Sequence, residues 1–246
     1  MNKKELIIFD LDDTLVDTSE IYYKARESFL IILTQLGINK DESRRIFEEI
    51  DTKNMISYGY NPERYGKSML DAYYYCLKKF NIPKSTNTVK QIKLCGEIVL
   101  LEFPELIEGA TTLLKWCFKH YKMILYTRGI YDLQMKKINH VNIKRYFTQI
   151  IISDEKNSTE LKKIISSTNI KPGKSWVVGD SIQSDINPGV ELGAKCILYL
   201  YKHDSYYWEQ EYGSSAIGEF YLAKNLPDIK DILETPHTFK TCTTIE

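Results

Sequence analysis

Strand and helix signals are spread unevenly along these 246 residues, and that unevenness constrains the fold more than any other feature. A short apolar run, LIIF at residues 6–9, breaks off into aspartates and reads as a fully buried parallel strand. From Ser19 to about Phe103 no strand signal follows. SEIYYKARESFLIILTQLG, ESRRIFEEI, PERYGKSMLDAYYYCLKKF and TVKQIKLCGEIVLLEF instead carry apolar residues at helical spacing, with Gly37 placed as a C-cap and Pro62 at a helix start. After Pro104 the texture alternates. KMILYT, TQIIIS, SWVVGD, AKCILYL and the weaker EFYLA read as strands, separated by helical stretches that end in PDIKDIL. Such alternation builds a parallel sheet with helices on both faces. Because the first strand precedes the helical block, that block reads as an insertion. The expectation is an α/β fold: a Rossmann-like core from 1–17 and 105–234, an all-helical insertion at 18–104, and a loosely ordered tail at 235–246.

Charge narrows the function classes. Thirty-three basic residues cancel thirty-three acidic ones, which argues against a general binder of nucleic acid or anionic membrane. No apolar run approaches the roughly 20 residues needed to span a bilayer, and the start MNKKELIIFD is too short in its apolar part for a signal peptide. Cys76, Cys95, Cys117, Cys196 and Cys242 are scattered without a CxxC pair, which suits reduced thiols in a cytoplasmic protein. No arginine follows Cys117 at phosphatase-loop spacing, and the four histidines show no metal-ligand spacing. Monomer and homodimer both stay open.

The chemistry concentrates at strand ends. Ligands of parallel sheets gather at the carboxyl ends of the strands. Here those ends read FDLDDT, LYTRG, IIISDEKN and VVGDSIQSD. Clustered carboxylates repel each other unless a hard cation sits among them, and Mg²⁺ takes oxygen ligands while keeping several waters. Asp10 and Asp180 can each give a carboxylate oxygen and Asp12 its backbone carbonyl. Asp185 can support the metal shell or steer a lysine. Thr127 and the backbone N–H of Arg128 can hold a phosphoryl oxygen, and Lys156 can neutralise charge there. Phosphoryl transfer is largely positioning and charge stabilisation, so these parts suffice in kind.

In that order, DLDDT, LYTRG, the lysine of SDEKN and GDSIQSD resemble the four motifs of the haloacid dehalogenase-like hydrolases. The helical block resembles the cap that one subfamily inserts between the first two motifs. The resemblance implies a Mg²⁺-dependent phosphatase acting on a small phosphorylated metabolite, with Asp10 as nucleophile and Asp12 as general acid/base. Family dehalogenases lack the second aspartate, so Asp12 favours phosphoryl chemistry. A phosphosugar mutase on the same fold and a non-catalytic phosphate-sensing regulator stay open, and a receiver-type signalling domain fits less well because such domains are uncapped and shorter.

Some residues have plainer readings. A calcium loop of EF-hand type fails, because Leu15 and Ile21 stand where its glycine and glutamate belong. Asp13 and Asp17 read as turn and surface residues, and Thr14 as a local hydrogen-bonding residue. Lys171 and Lys174 rival Lys156 but read as solvated. Residues 54–67 are the most loop-like part of the helical block, where Tyr60 and Arg64 are candidates for a substrate-reading surface.

Overall fold

The structure is a computed structural model and describes residues 4–59, 61–201 and 215–243. It divides into two compact units. Among the described residues, one unit holds 4–18, 104–201 and 215–243, and the other 19–59 and 61–103.

The second unit is built on α1 (Thr18–Gln35), α2 (Lys40–Tyr58), α3 (Glu63–Phe80) and α4 (Thr86–Leu101). Their apolar faces meet in one core around Phe29, Phe47, Tyr65, Met69, Tyr73 and Ile92. Asn39 caps α2 by accepting from the backbone of Asp41 and Glu42, and Ser85 caps α4 by accepting from Thr88. Gly66 on α3 faces Gly96 on α4 so closely that a Cβ on Gly96 would stand 2.5 Å from the Gly66 Cα. The expected loop at 54–67 is mostly helix, since α2 continues to Tyr58 and α3 begins at Glu63. Arg64 does not face solvent. It is buried, and its guanidinium is ion-paired with the buried Asp51 carboxylate inside this unit. Tyr60 lies outside the described residues.

The first unit is a parallel sheet of β1 (Leu6–Phe9), β2 (Lys122–Arg128), β3 (Gln149–Ser153), β4 (Ser175–Gly179), β5 (Lys195–Tyr199) and β6 (Tyr221–Ala223). Its order is β3-β2-β1-β4-β5-β6. The strand period of two sends alternate residues to opposite faces. Ile7, Phe9, Leu125 and Val178 join one core, with α5 (Ala110–His120), α6 (Tyr131–His140) and α9 (Leu226–Glu234); Ile8, Ile124, Val177 and Leu198 join another, with α7 (Ser158–Ser166). A short helix α8 (Asn187–Glu191) precedes β5. EFYLA yields only three strand residues, because Tyr221–Ala223 is the part that pairs with β5. The tail is more ordered than its composition suggests: Phe220 and Cys242 exchange two backbone hydrogen bonds of 2.9 and 2.8 Å. No described helix is long and apolar enough to cross a membrane.

Register places the strand ends. Phe9 pairs with both Leu125 and Val178, so β1, β2 and β4 reach one level together. Thr127 pairs with Ile152 and Arg128 with Ser153. Asp10, Thr127, Asp180 and the loop leading to Lys156 therefore leave the same edge of the sheet.

Candidate active site

The backbone N–H of Asp10 donates to Val178 O at 2.9 Å, which anchors Asp10 just past the end of β1. Asp180 follows β4 directly. Beyond it the chain takes one π-helical turn, Ile182–Ile186, a feature often found at functional sites. Ser181 holds this turn at both ends. Its hydroxyl accepts from Ser184 N, and its own N–H donates to Asp185 Oδ2, each at 3.2 Å. The Asp185 side chain lies against Gly179, where a Cβ would stand only 2.7 Å from the Asp185 Cβ and nearer still to the carboxyl group. Glycine at 179 thus leaves the space that Asp185 fills. As a result, carboxylate oxygens of Asp10, Asp180 and Asp185 lie within 4.8 Å of one another.

Lys156 enters this group from the loop after β3. Its Nζ stands 2.6 Å from Asp10 Oδ1 and is also ion-paired with Asp185, with the side chain only 3% exposed. The ammonium sits 5.4 Å above the Tyr126 ring, whose hydroxyl donates to Glu155 O. Lys171 and Lys174 are exposed at the opposite, entry end of β4 and do not compete. In formal charge, three carboxylates against one ammonium leave two negative charges, the complement of a divalent cation. Burial pushes Asp10 up, Lys156 pulls it back, and Asp185 and Asp12 push it further; the outcome is about 7. Burial opposes the charged form of Lys156, but Asp10 and Asp185 outweigh it and hold that lysine above its ordinary range. A hard-oxygen donor set with this charge deficit fits Mg²⁺.

The Asp12 carboxylate is turned elsewhere. Gln134 Nε2 donates to Asp12 Oδ2 at 2.7 Å, and Lys137 Nζ to Oδ1 at 2.7 Å. The Thr18 hydroxyl also donates to Oδ1. Burial favours the neutral form of Asp12, yet Lys137 and these three hydrogen bonds hold its pKa below the usual carboxylate value. The same Gln134 amide donates to Thr127 Oγ1 at 2.7 Å and to Arg128 O at 3.1 Å. Sequence reading missed Gln134, Lys137 and Thr18. The signal for the first two was their i,i+3 spacing on the helix directly after LYTRG, which places both on one face.

Two readings of the first loop need correction. Asp13 is fully buried, at φ 53°, a left-handed conformation that Asp tolerates better than most residues, and Asp17 is half-buried, accepting from Tyr201 Oη at 2.6 Å. Asp13 lies in a turn as expected but not at the surface, and Asp17 is only partly exposed, because the loop folds inward: the N–H groups of Leu15 and Val16 both donate to Leu11 O. Thr14 bonds locally through its backbone N–H, which donates to Leu11 O at 3.4 Å, while its buried hydroxyl has no hydrogen-bond partner among the described residues. Arg128, at the end of β2, is half-buried.

Comparison with known proteins bears on this geometry. Residues 7–199 match a family model described as haloacid dehalogenase-like hydrolase. The glyceraldehyde 3-phosphate phosphatase of Pyrococcus furiosus is 25% identical over 240 residues, 95% of each chain. The N-acylneuraminate-9-phosphatase of Homo sapiens is 20% identical over 221 residues, 82% of this chain and 84% of that one. Among solved structures, a haloacid dehalogenase-like family hydrolase from Xanthomonas campestris matches with a TM-score of 0.75 at 20% identity, covering 96% of this chain and 98% of that one.

Proposed function

This chain belongs to the haloacid dehalogenase-like hydrolases, and from that premise we propose that it hydrolyses small phosphate monoesters through an aspartyl-phosphate. Asp10, Asp180 and the Asp12 backbone carbonyl would hold Mg²⁺, with Asp185 supporting them. When bound, Mg²⁺ neutralises carboxylates and phosphoryl oxygens so that an anionic nucleophile can approach an anionic ester.

The chain's own groups perform the steps. An Asp10 carboxylate oxygen attacks phosphorus, forming an O–P bond as the bond to the ester oxygen breaks. Asp12 serves as the acid only once it is protonated, against the pull of Lys137 toward its carboxylate; it then gives that proton to the departing oxygen, and its carboxylate takes a proton from the water that attacks the phosphoryl group. The Asp10–phosphorus bond breaks, releasing inorganic phosphate and restoring both carboxyl groups. Thr127 and Arg128 bind the phosphoryl oxygens, and Lys156 balances charge on Asp10 and on the group in transfer. The carrying observation is the gathering of three carboxylates within 4.8 Å of one another, two of them ion-paired with the Lys156 ammonium. Relatives named as phosphatases of glyceraldehyde 3-phosphate and of N-acylneuraminate 9-phosphate support a small phosphorylated metabolite as substrate. The scattered cysteines, without a CxxC pair, support a cytoplasmic setting.

The test is release of phosphate from p-nitrophenyl phosphate with Mg²⁺ supplied. Turnover should require the metal and vanish in Asp10→Asn, with acid-stable phosphate trapped on the wild-type protein. Undiminished turnover in Asp10→Asn overturns the reading.

A further inference from the structure

We propose that Gln134 and Lys137 are positioning residues that fix the Asp12 carboxyl group relative to the phosphoryl-binding hydroxyl of Thr127. The inference rests on the hydrolase reading above and deepens it. Gln134 is 3% exposed, and one amide nitrogen lies 2.7 Å from Asp12 Oδ2 and 2.7 Å from Thr127 Oγ1. That nitrogen links the group that moves protons to a group that binds the phosphoryl. Its bond to Arg128 O, at 3.1 Å, ties the link to the end of β2. Lys137, one helical turn further on, holds the other Asp12 oxygen at 2.7 Å. With both oxygens held, the carboxyl plane cannot rotate freely.

The backbone is shaped to admit this contact. Gly129 has φ 144°, and a Cβ there would stand 3.2 Å from both Cγ and Cδ of Gln134. A side chain at 129 would therefore crowd the stem that carries the amide between Asp12 and Thr127. A glutamine serving as an ordinary helix–strand tie needs only the bond to Arg128 O; the two further acceptors are both groups assigned to the reaction.

Positioning of a proton donor has a kinetic signature that a packing role lacks. An alkyl phosphate has a poor leaving group and depends strongly on proton donation; p-nitrophenyl phosphate leaves as a stabilised anion and depends on it weakly. The value of kcat/KM reports steps through departure of that group, so the two esters should separate. In Gln134→Met, which keeps the length and loses the amide, kcat/KM for glycerol 3-phosphate should fall about 10-fold or more beyond its fall for p-nitrophenyl phosphate, a fraction of the 10²–10⁴ that general acid catalysis supplies. Lys137→Met should shift the ratio the same way, and Lys137→Arg should restore most of it. Thermal melting checks folding. If Gln134→Met does not fold, the Lys137 pair carries the test, since that side chain is 20% exposed and on the rim of the core.

Equal losses for both esters, or none, in folded variants of a wild type that turns over and needs Asp10 overturn the positioning role and leave the hydrolase reading intact. A wild type that turns over neither ester with Mg²⁺ overturns both.

Discussion

Replacing Lys156 with methionine keeps most of the side-chain volume and removes the ammonium that two buried carboxylates share. In the metal-free protein, the formal charge of the Asp10, Asp180, Asp185 group then rises from two negative to three. Removing one partner of a buried ion pair costs about 3–5 kcal/mol. Part of that cost is escapable: Asp10 already keeps its proton up to about 7, and loss of Lys156 removes the charge that pulled it down. At about pH 6 protonation of Asp10 relieves the repulsion and the cost lies near the low end; at about pH 8 it lies near the high end. With about 2–4 °C of melting temperature per kcal/mol for a chain of this size, the drop at the higher pH is about 10–20 °C. Saturating Mg²⁺ replaces the missing positive charge, so the gap between variant and wild type should narrow when the metal is added. The assay is thermal melting by circular dichroism of both proteins, at both pH values, with chelator and with Mg²⁺. A melting temperature at the higher pH that the substitution leaves unchanged without metal would refute the shared-ammonium argument.

Further outcomes follow from particular contacts. Because the Asp10 pKa is raised from 3.8 to about 7 on folding, its contribution to metal-free stability is full at low pH and is lost as pH rises through about 7. A proton competes with metal below that point, so Mg²⁺ should raise the melting temperature more at about pH 8 than at about pH 6; equal shifts would contradict Asp10 as a ligand. Gly179→Ala should displace Asp185, cost about 1–3 kcal/mol and weaken Mg²⁺ binding measured by calorimetry. Unaltered affinity and stability would show that the Asp185 contact on the strand is dispensable. In Gly96→Ala the new Cβ meets the Gly66 backbone at 2.5 Å, which no rotamer change relieves. The overpacking cost of about 1–3 kcal/mol should exceed the helix-propensity gain of roughly 1 kcal/mol. Hydrogen exchange should then quicken in α3 and α4 while sheet amides hold, and a more stable protein would contradict the close crossing.

Much of this molecule is local information. The buried run at Leu6–Phe9, the helical spacing through residues 19–103 and the alternation after Pro104 are set by apolar periodicity, so the sequence alone determined an α/β sheet interrupted by helices. It also determined which strand ends carry carboxylates, a threonine and a lysine, because such residues interrupt apolar runs visibly. Tertiary structure decided what those residues touch. The inward fold of the first loop buried Asp13 and half-buried Asp17, a matter of loop path rather than composition. Arg64 looked like a surface reader, but the partner that buries it, Asp51, is a helix away. Gln134 and Lys137 carried no motif, since a polar residue on a surface helix is ordinary until register brings β1 and β2 level and Asp12 beneath it. Periodicity specifies which face of an element is buried. Only the packing of separate elements specifies which polar group, more than a hundred residues away, completes the hydrogen bonds that burial demands.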